Sequence, residues 1–221
     1  CWFDSDYLNV RLEELPKSKG EELRVYQEPD IQLEYVIGVD PSWCTGGDYS
    51  VACVMSELGE QVAVFATNQG GEDRFIMELN VLSRYYNRAR VLCEGNTGGA
   101  GRVVIKGLYQ ENTPVWKDKH GKDWVTHKGN KELAYSFARQ IVNSDGIELN
   151  DHQTIQELMH IREERGRIEG QDGYHDDHAD AFVLALWALR RVPGFNGRER
   201  DRPRTLRHKR NPYDRIKLRT P

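Results

Sequence analysis

The sequence lacks any apolar run near the roughly 18 residues that would cross a membrane; its longest, residues 181–189, is the length of a core helix. It lacks a signal-peptide pattern, and it opens at Cys1 rather than Met, which reads as a fragment excised or processed from something longer. Its four cysteines (Cys1, Cys44, Cys53, Cys93) show no CxxC spacing, so neither a zinc site nor a disulfide framework is expected. They read as buried thiols of a cytosolic protein. What remains is 221 residues, 38% hydrophobic and 30% charged, with five Trp and ten Tyr. That is enough apolar material for a sizeable core, and the length suits one domain with appendages.

The net charge of −4 hides an asymmetry. Residues 193–221 hold ten Lys and Arg against three acids, a balance of +7, which leaves −11 for residues 1–192. An acidic body with a basic tail suits a protein that binds cations in one place and polyanions in another.

Residues 1–33 are charged and aperiodic and read as a linker or an arm packed on the outside. Residues 35–39, 49–55 and 61–67 then read as three strands joined by short turns, an antiparallel start to a sheet. Residues 74–87 carry Phe75, Leu79, Leu82 and Tyr86 at helical spacing. Residues 90–93 form a short buried strand, and a helix follows from 98 to about 109. Residues 113–116 are a further strand candidate, and 117–128 a polar hairpin or loop. Helices are expected over 130–143, 153–162 and 176–191, with a hairpin over 167–174. Pro193 ends the ordered part, and the basic tail is expected to be mobile. Strands first, then alternating elements, imply a mixed α/β layer architecture.

The acids carry the chemistry. Asp40 ends the first strand, Glu94 ends the fourth, and Asp176, Asp177 and Asp180 open the last helix. An acid at the end of a buried strand is costly unless paired or metal-bound. Asp176 and Asp177 stand four and three residues before Asp180, so all can share one helix face. Helix capping is the plainer reading for any one of them. Capping does not explain three acids in five residues together with two more on strand ends. Two unit charges ~4 Å apart repel by about 4 kcal/mol at an effective dielectric near 20. Converging carboxylates therefore call for cations, and oxygen-only ligands favour Mg²⁺ or Mn²⁺. Two such ions suit phosphodiester hydrolysis. Proton transfer between two carboxylates, as in glycosidases, uses only two of the acids.

The ordered run Gly38-Val39-Asp40-Pro41, Gly46-Gly47-Asp48-Tyr49, Glu94-Gly95-Asn96 with Gly101, and His175-Asp176-Asp177-His178-Ala179-Asp180-Ala181 resembles the nuclease domain of the phage terminase large subunit. The resemblance spans about residues 34–192. It implies an RNase H-like fold, in which helices flank a mixed sheet, antiparallel over its first three strands and then parallel. It also implies a two-metal endonuclease that cuts concatemeric double-stranded viral DNA during packaging. Asp40, Glu94 and Asp177 would be the central metal ligands, with Asp176, Asp180 and Asp48 auxiliary. The implied partners are an ATPase domain in the full-length chain, the portal and the small terminase subunit. The implied setting is the host bacterial cytoplasm, at the procapsid. No GxxxxGK[ST] loop occurs, so this chain alone is not expected to hydrolyse ATP, and residues 1–33 would be the link to a removed motor.

Several basic and aromatic groups have two readings each. Gly98-Gly99-Ala100-Gly101 with Arg102 either cradles a phosphate or simply permits a tight turn. Lys128, Lys131 and Arg139 either line a DNA groove or form a solvated helix face. His175 and His178 either touch a metal or phosphate or are structural. Trp116 and Trp124 either stack on DNA or pack in the core. The rival functions are a resolvase or transposase-like nuclease, which shares the metal site but prefers branched DNA, and a non-catalytic DNA-binding or motor-docking module.

Overall fold

The computed structural model describes residues 2–15, 22–44, 48–96, 99–144, 146–164 and 166–195. Strands β1 (Leu23–Val25), β2 (Tyr35–Asp40), β3 (Ser50–Ser56), β4 (Gln61–Thr67) and β5 (Arg90–Cys93) form one sheet in the order β1-β4-β3-β2-β5. Every pairing is antiparallel except β2 with β5, which is parallel. The helices are α1 (Ser5–Glu14), α2 (Gly71–Tyr85), α3 (Ala100–Gln110), α4 (Lys128–Asn143), α5 (His152–His160) and α6 (Asp177–Leu189). A separate hairpin pairs β6 (Ile161–Glu164) with β7 (Arg167–Gly170). No helix among the described residues is long and apolar enough to cross a membrane.

Side-chain alternation gives the sheet two buried faces. Tyr35, Ile37 and Val39 of β2, with Ala52 and Val54 of β3, pack under α2 and α3. Val36 of β2, with Val51, Cys53 and Met55 of β3, packs under α6, α4 and α5. Both faces are covered, so β3 and β4 read as continuous apolar runs, and both are buried along their whole length. The last helix is apolar nearly all round because it is enclosed: residues 181–189 are all buried.

The stretch read as a linker or outer arm is part of this packing. Phe3, Leu8 and Leu15 join the core against α5, and β1 adds an edge strand to β4. Arg11 is 1% exposed, and its guanidinium donates to Leu149 O at 2.5 and 3.2 Å. A three-residue strand and a helix crowded with charge leave little periodicity to read. Residues 113–116 make only an isolated parallel bridge, Val91 with Val115, rather than a full strand. Ile161 and Arg162, expected to close a helix, begin the β6–β7 hairpin instead. The basic tail from residue 196 onward, the Gly46-Gly47 turn and Gly98 lie outside the described residues.

Candidate active site

Asp40 is the last residue of β2, and Glu94 directly follows β5, its parallel neighbour. Val39 pairs with Cys93, and the Glu94 N–H donates to Val39 O at 3.1 Å, so the two acids stand side by side at one sheet end. Alternation places Asp40 on the face of Val36 and Gly38, and Glu94 on that of Leu92, which is the α6 face.

Two glycines set the approach of the helices. A Cβ on Gly38 would lie 2.1 Å from Ala185 N and 2.2 Å from Ala181 O. Only glycine lets the α6 backbone rest directly on β2, and this seat carries Asp177 and Asp180 up to Asp40. A Cβ on Gly101 would lie 1.8 Å from Glu94 O, so α3 starts hard against the backbone of the second acid. Gly101 thus has a steric reason, whereas a Cβ on Gly99 would make only ordinary contacts, the nearest at 3.7 Å.

The cap of α6 is supplied by another helix. Asp176 occupies the N-cap position without a side-chain cap bond; its carboxylate accepts from Gly170 N at 3.1 Å. Glu157 of α5 accepts from the N–H groups of His178 and Ala179 at 2.7 and 3.1 Å. The plain capping duty is therefore Glu157's, which leaves Asp177 and Asp180 for other work.

Asp40, Asp48, Glu94 and Asp177 line one pocket of about 410 Å³, together with the exposed Trp43 and Tyr49. The Tyr49 N–H donates to Asp177 Oδ2 at 3.2 Å, which ties the Asp48 turn to α6. Asp180 sits behind, with Lys131 Nζ at 2.9 Å from its Oδ2 and the Tyr135 hydroxyl donating to its Oδ1 at 2.5 Å. Asn96 donates to Glu94.

Electrostatics bind these acids into one group. Burial, then the charges of Asp180, Glu94 and Asp177, hold the Asp40 carboxyl well above the usual carboxylate range. Burial and Asp180 raise Glu94, with Asn96 opposing. Asp177 is pushed up to about 6, mainly by burial. Asp180 is raised by burial, against the pull of Lys131.

Among the described residues no three Asp, Glu, His or Cys side chains close into a finished metal cage, and no described donor hydrogen-bonds the Asp40 carboxylate. The donors present are oxygens only, in an open pocket, and their mutual repulsion favours added positive charge. Such a set fits a hard divalent cation that retains water ligands.

The remaining sequence candidates divide. Arg102 and Lys128 are exposed, as a DNA contact requires. Lys131 is not a free groove cation, because it is committed to Asp180. His178 is 6% exposed, with Nδ1 2.9 Å from Glu157 Oε1 and Nε2 3.3 Å from Arg24, so its ring nitrogens are engaged within the protein. Its register on the inner face of α6 decides this. His175 is exposed, 3.8 Å from Asp177. Arg139 lies over the Trp2 ring. Trp116 and Trp124 are buried against each other at 6.1 Å between centroids, which settles them as core. Cys44, Cys53 and Cys93 are free and buried; Cys1 lies outside the described residues. Sequence reasoning missed Tyr135, Glu157 and Trp43. Tyr135 stands one helical turn from Lys131, but nothing in α4 alone marks it as a partner of α6.

No family model matches this chain. Among solved structures, the large terminase nuclease from thermophilic phage G20c with bound magnesium is similar at a TM-score of 0.67 and 20% identity, over 81% of this chain and 96% of that one. The large terminase nuclease domain of Thermus phage P74-26 gives 0.67 and 20%, over 86% and 98%. The G20c nuclease with bound zinc gives 0.61 and 21%, over 81% and 97%. This chain has the RNase H-like fold of the phage large terminase nuclease domains.

Proposed function

We propose that this chain is a divalent-metal-dependent endonuclease that cuts double-stranded viral DNA during genome packaging. The observation that carries the reading is the meeting of Asp40, Glu94 and Asp177, from two parallel strand ends and a helix mouth, in one open pocket. Two of the structural neighbours carry magnesium or zinc, which supports a metal-dependent reading. Two cations held by Asp40, Glu94 and Asp177, as Mg²⁺ or Mn²⁺, would supply Lewis acidity to a phosphodiester and its attacking water. Asp48 lines the same pocket, Asp180 stands behind it, and Asp176 steadies the hairpin beside them.

The chain's own residues prepare that site. The Gly38 seat fixes the distance from Asp177 to Asp40, while Glu157 holds the helix mouth. Lys131 and Tyr135 clamp Asp180, offsetting part of the negative charge that would repel a phosphate. Exposed Arg102, and Lys128 beside Glu132 at 3.9 Å, are cations within reach of a DNA backbone in this reading. In this reading the chain acts in the host bacterial cytoplasm at the procapsid. It is joined there to an ATPase domain in the full-length protein and meets the portal and the small terminase subunit.

Supercoiled plasmid incubated with the chain should be nicked and linearised with Mg²⁺ or Mn²⁺ and left intact with EDTA. Asp40→Ala, Glu94→Ala and Asp177→Ala should each lower cutting by about a hundredfold or more while keeping a cooperative melt. Wild-type activity in two of the three variants would overturn the assignment, and cutting in EDTA would remove the metal from it.

A further inference from the structure

A second pocket, of about 500 Å³, opens on the other side of Tyr49. Tyr49 lines both pockets, and its backbone N–H is bonded to Asp177, so the two share a wall. The volume is that of a small-ligand site. Its charged groups are already matched. Arg24 Nε lies 2.6 Å from Asp151 Oδ1, Glu157 is bonded to His178, and Glu22 is paired with Arg74. What remains for a ligand is polar: the side chains of Asn68, Gln69 and His152 have no hydrogen-bond partner among the described residues, and His175 stands 3.8 Å from Asp177. Tyr49 adds a ring that is 38% exposed.

A site whose one lining guanidinium, Arg24, is committed to Asp151 is poorly suited to a phosphate, which needs free positive charge. It is well suited to a flat, uncharged ring with a hydrogen-bonding edge. Asn and Gln carboxamides match the donor–acceptor pairs on base edges, and a tyrosine face stacks on any base. We propose that this pocket holds one unpaired nucleobase of the DNA strand whose phosphate lies at the acidic pocket, stacked on Tyr49 and read by Asn68 and Gln69. The proposal rests on the nuclease reading for its choice of ligand. It adds that the strand must be locally unstacked beside the cut, a distortion that a mismatch or a nearby end lowers in cost.

The test uses the full chain and two short single-stranded oligonucleotides, one with a 2-aminopurine at its centre and one abasic there. Binding is followed by fluorescence anisotropy from an end label, in EDTA and again in Ca²⁺. The base-bearing oligonucleotide should bind about tenfold tighter than the abasic one, with a change in 2-aminopurine emission. Tyr49→Ala, and the double change Asn68→Ala with Gln69→Ala, should erase that difference; Tyr49→Phe should keep it. Melting curves with and without Mn²⁺ should show that the double variant retains both its fold and its metal response. Equal binding of the two oligonucleotides by the wild type, including none of either, overturns the proposal, as does an undiminished preference in both the Tyr49→Ala and the double variant. Plasmid cleavage on the same preparations separates the two readings. Cutting without base preference defeats the pocket alone, whereas base preference without cutting defeats the nuclease and leaves the pocket.

Discussion

At the scale of single residues, the acidic group stores a pH dependence. Asp40, Glu94, Asp177 and Asp180 are all raised by burial, and Asp177 reaches about 6. A raised acid binds more protons folded than unfolded, so its contribution to stability is full below the unfolded pKa and is lost as pH rises through the folded one. Burial pushes Glu157 and Asp151 up too, but His178 and Arg24 respectively outweigh it and leave both lowered, so they work the other way, losing their contribution only as pH falls below the ordinary carboxylate range. In EDTA, the melting temperature should therefore fall between about pH 5 and about pH 7.5. Millimolar Mn²⁺ should shrink that fall, because binding to the native state adds stability where the carboxylates are ionised. A melting temperature that is flat or rising over this range in EDTA, and blind to Mn²⁺, would mean the acids do not act as a group. Tyr135→Phe tests the clamp behind them. It removes a hydrogen bond to a charged carboxylate, worth about 1.5–3 kcal/mol. A stability loss of that order by urea denaturation is expected, together with reduced cutting; an unchanged denaturation midpoint would show that the bond carries no weight.

At the scale of elements, the two strand-end acids were legible because a carboxylate closing an apolar β-branched run is costly without a partner. The antiparallel start of the sheet and the buried last helix were legible from period and turn residues. The seat of that helix was not, because Gly38 reads as an ordinary strand glycine until Ala181 and Ala185 are found 2.2 and 2.1 Å from where its Cβ would be. Nor was the cap: Glu157 lies 21 residues from His178 and meets it only through packing of α5 on α6. The same long-range packing turned Lys131 and His178 from surface candidates into a half-buried partner of Asp180 and a buried partner of Glu157. The seat makes a quantitative claim. Gly38→Ala puts a methyl into helix backbone, which cannot rotate away, so a loss of about 3 kcal/mol or more is expected. Gly121→Ala is the comparison: φ is +74° there with nothing within 4 Å, so only the left-handed strain of about 1–2 kcal/mol applies. Thermal melts of the two variants should rank in that order. If Gly38→Ala also folds, its response to Mn²⁺ should be weaker than the wild type's, since α6 must lift Asp177 away from Asp40. A Gly38→Ala protein as stable and as metal-responsive as Gly121→Ala would contradict the seat.

At the scale of the whole molecule, charge is divided along the chain. The balance of −11 over residues 1–192 surrounds the site proposed to act on DNA, so in that reading the body alone is electrostatically unsuited to approach a polyanion without cations. The +7 of residues 193–221 offsets this, and its ten Lys and Arg are interleaved with too few apolar residues to build a core. Two roles suit such a tail: sequence-independent contact with phosphates, or docking to a protein of the packaging machine. They differ in their response to salt. Each phosphate neutralised releases counterions, so affinity for duplex DNA should fall steeply as salt rises, with a slope that counts the contacts. Removing residues 196–221 should weaken duplex binding, measured in Ca²⁺ by filter retention or anisotropy, and flatten that slope by several contacts. The same truncation should leave the Mn²⁺-dependent melting shift intact, because among the described residues none that lines the acidic pocket lies beyond Asp177. If affinity and slope both survive truncation, the phosphate role fails and a protein partner becomes the occupant to seek. If the melting shift is lost as well, the tail belongs to the fold, and the division of charge between body and tail is not a division of labour.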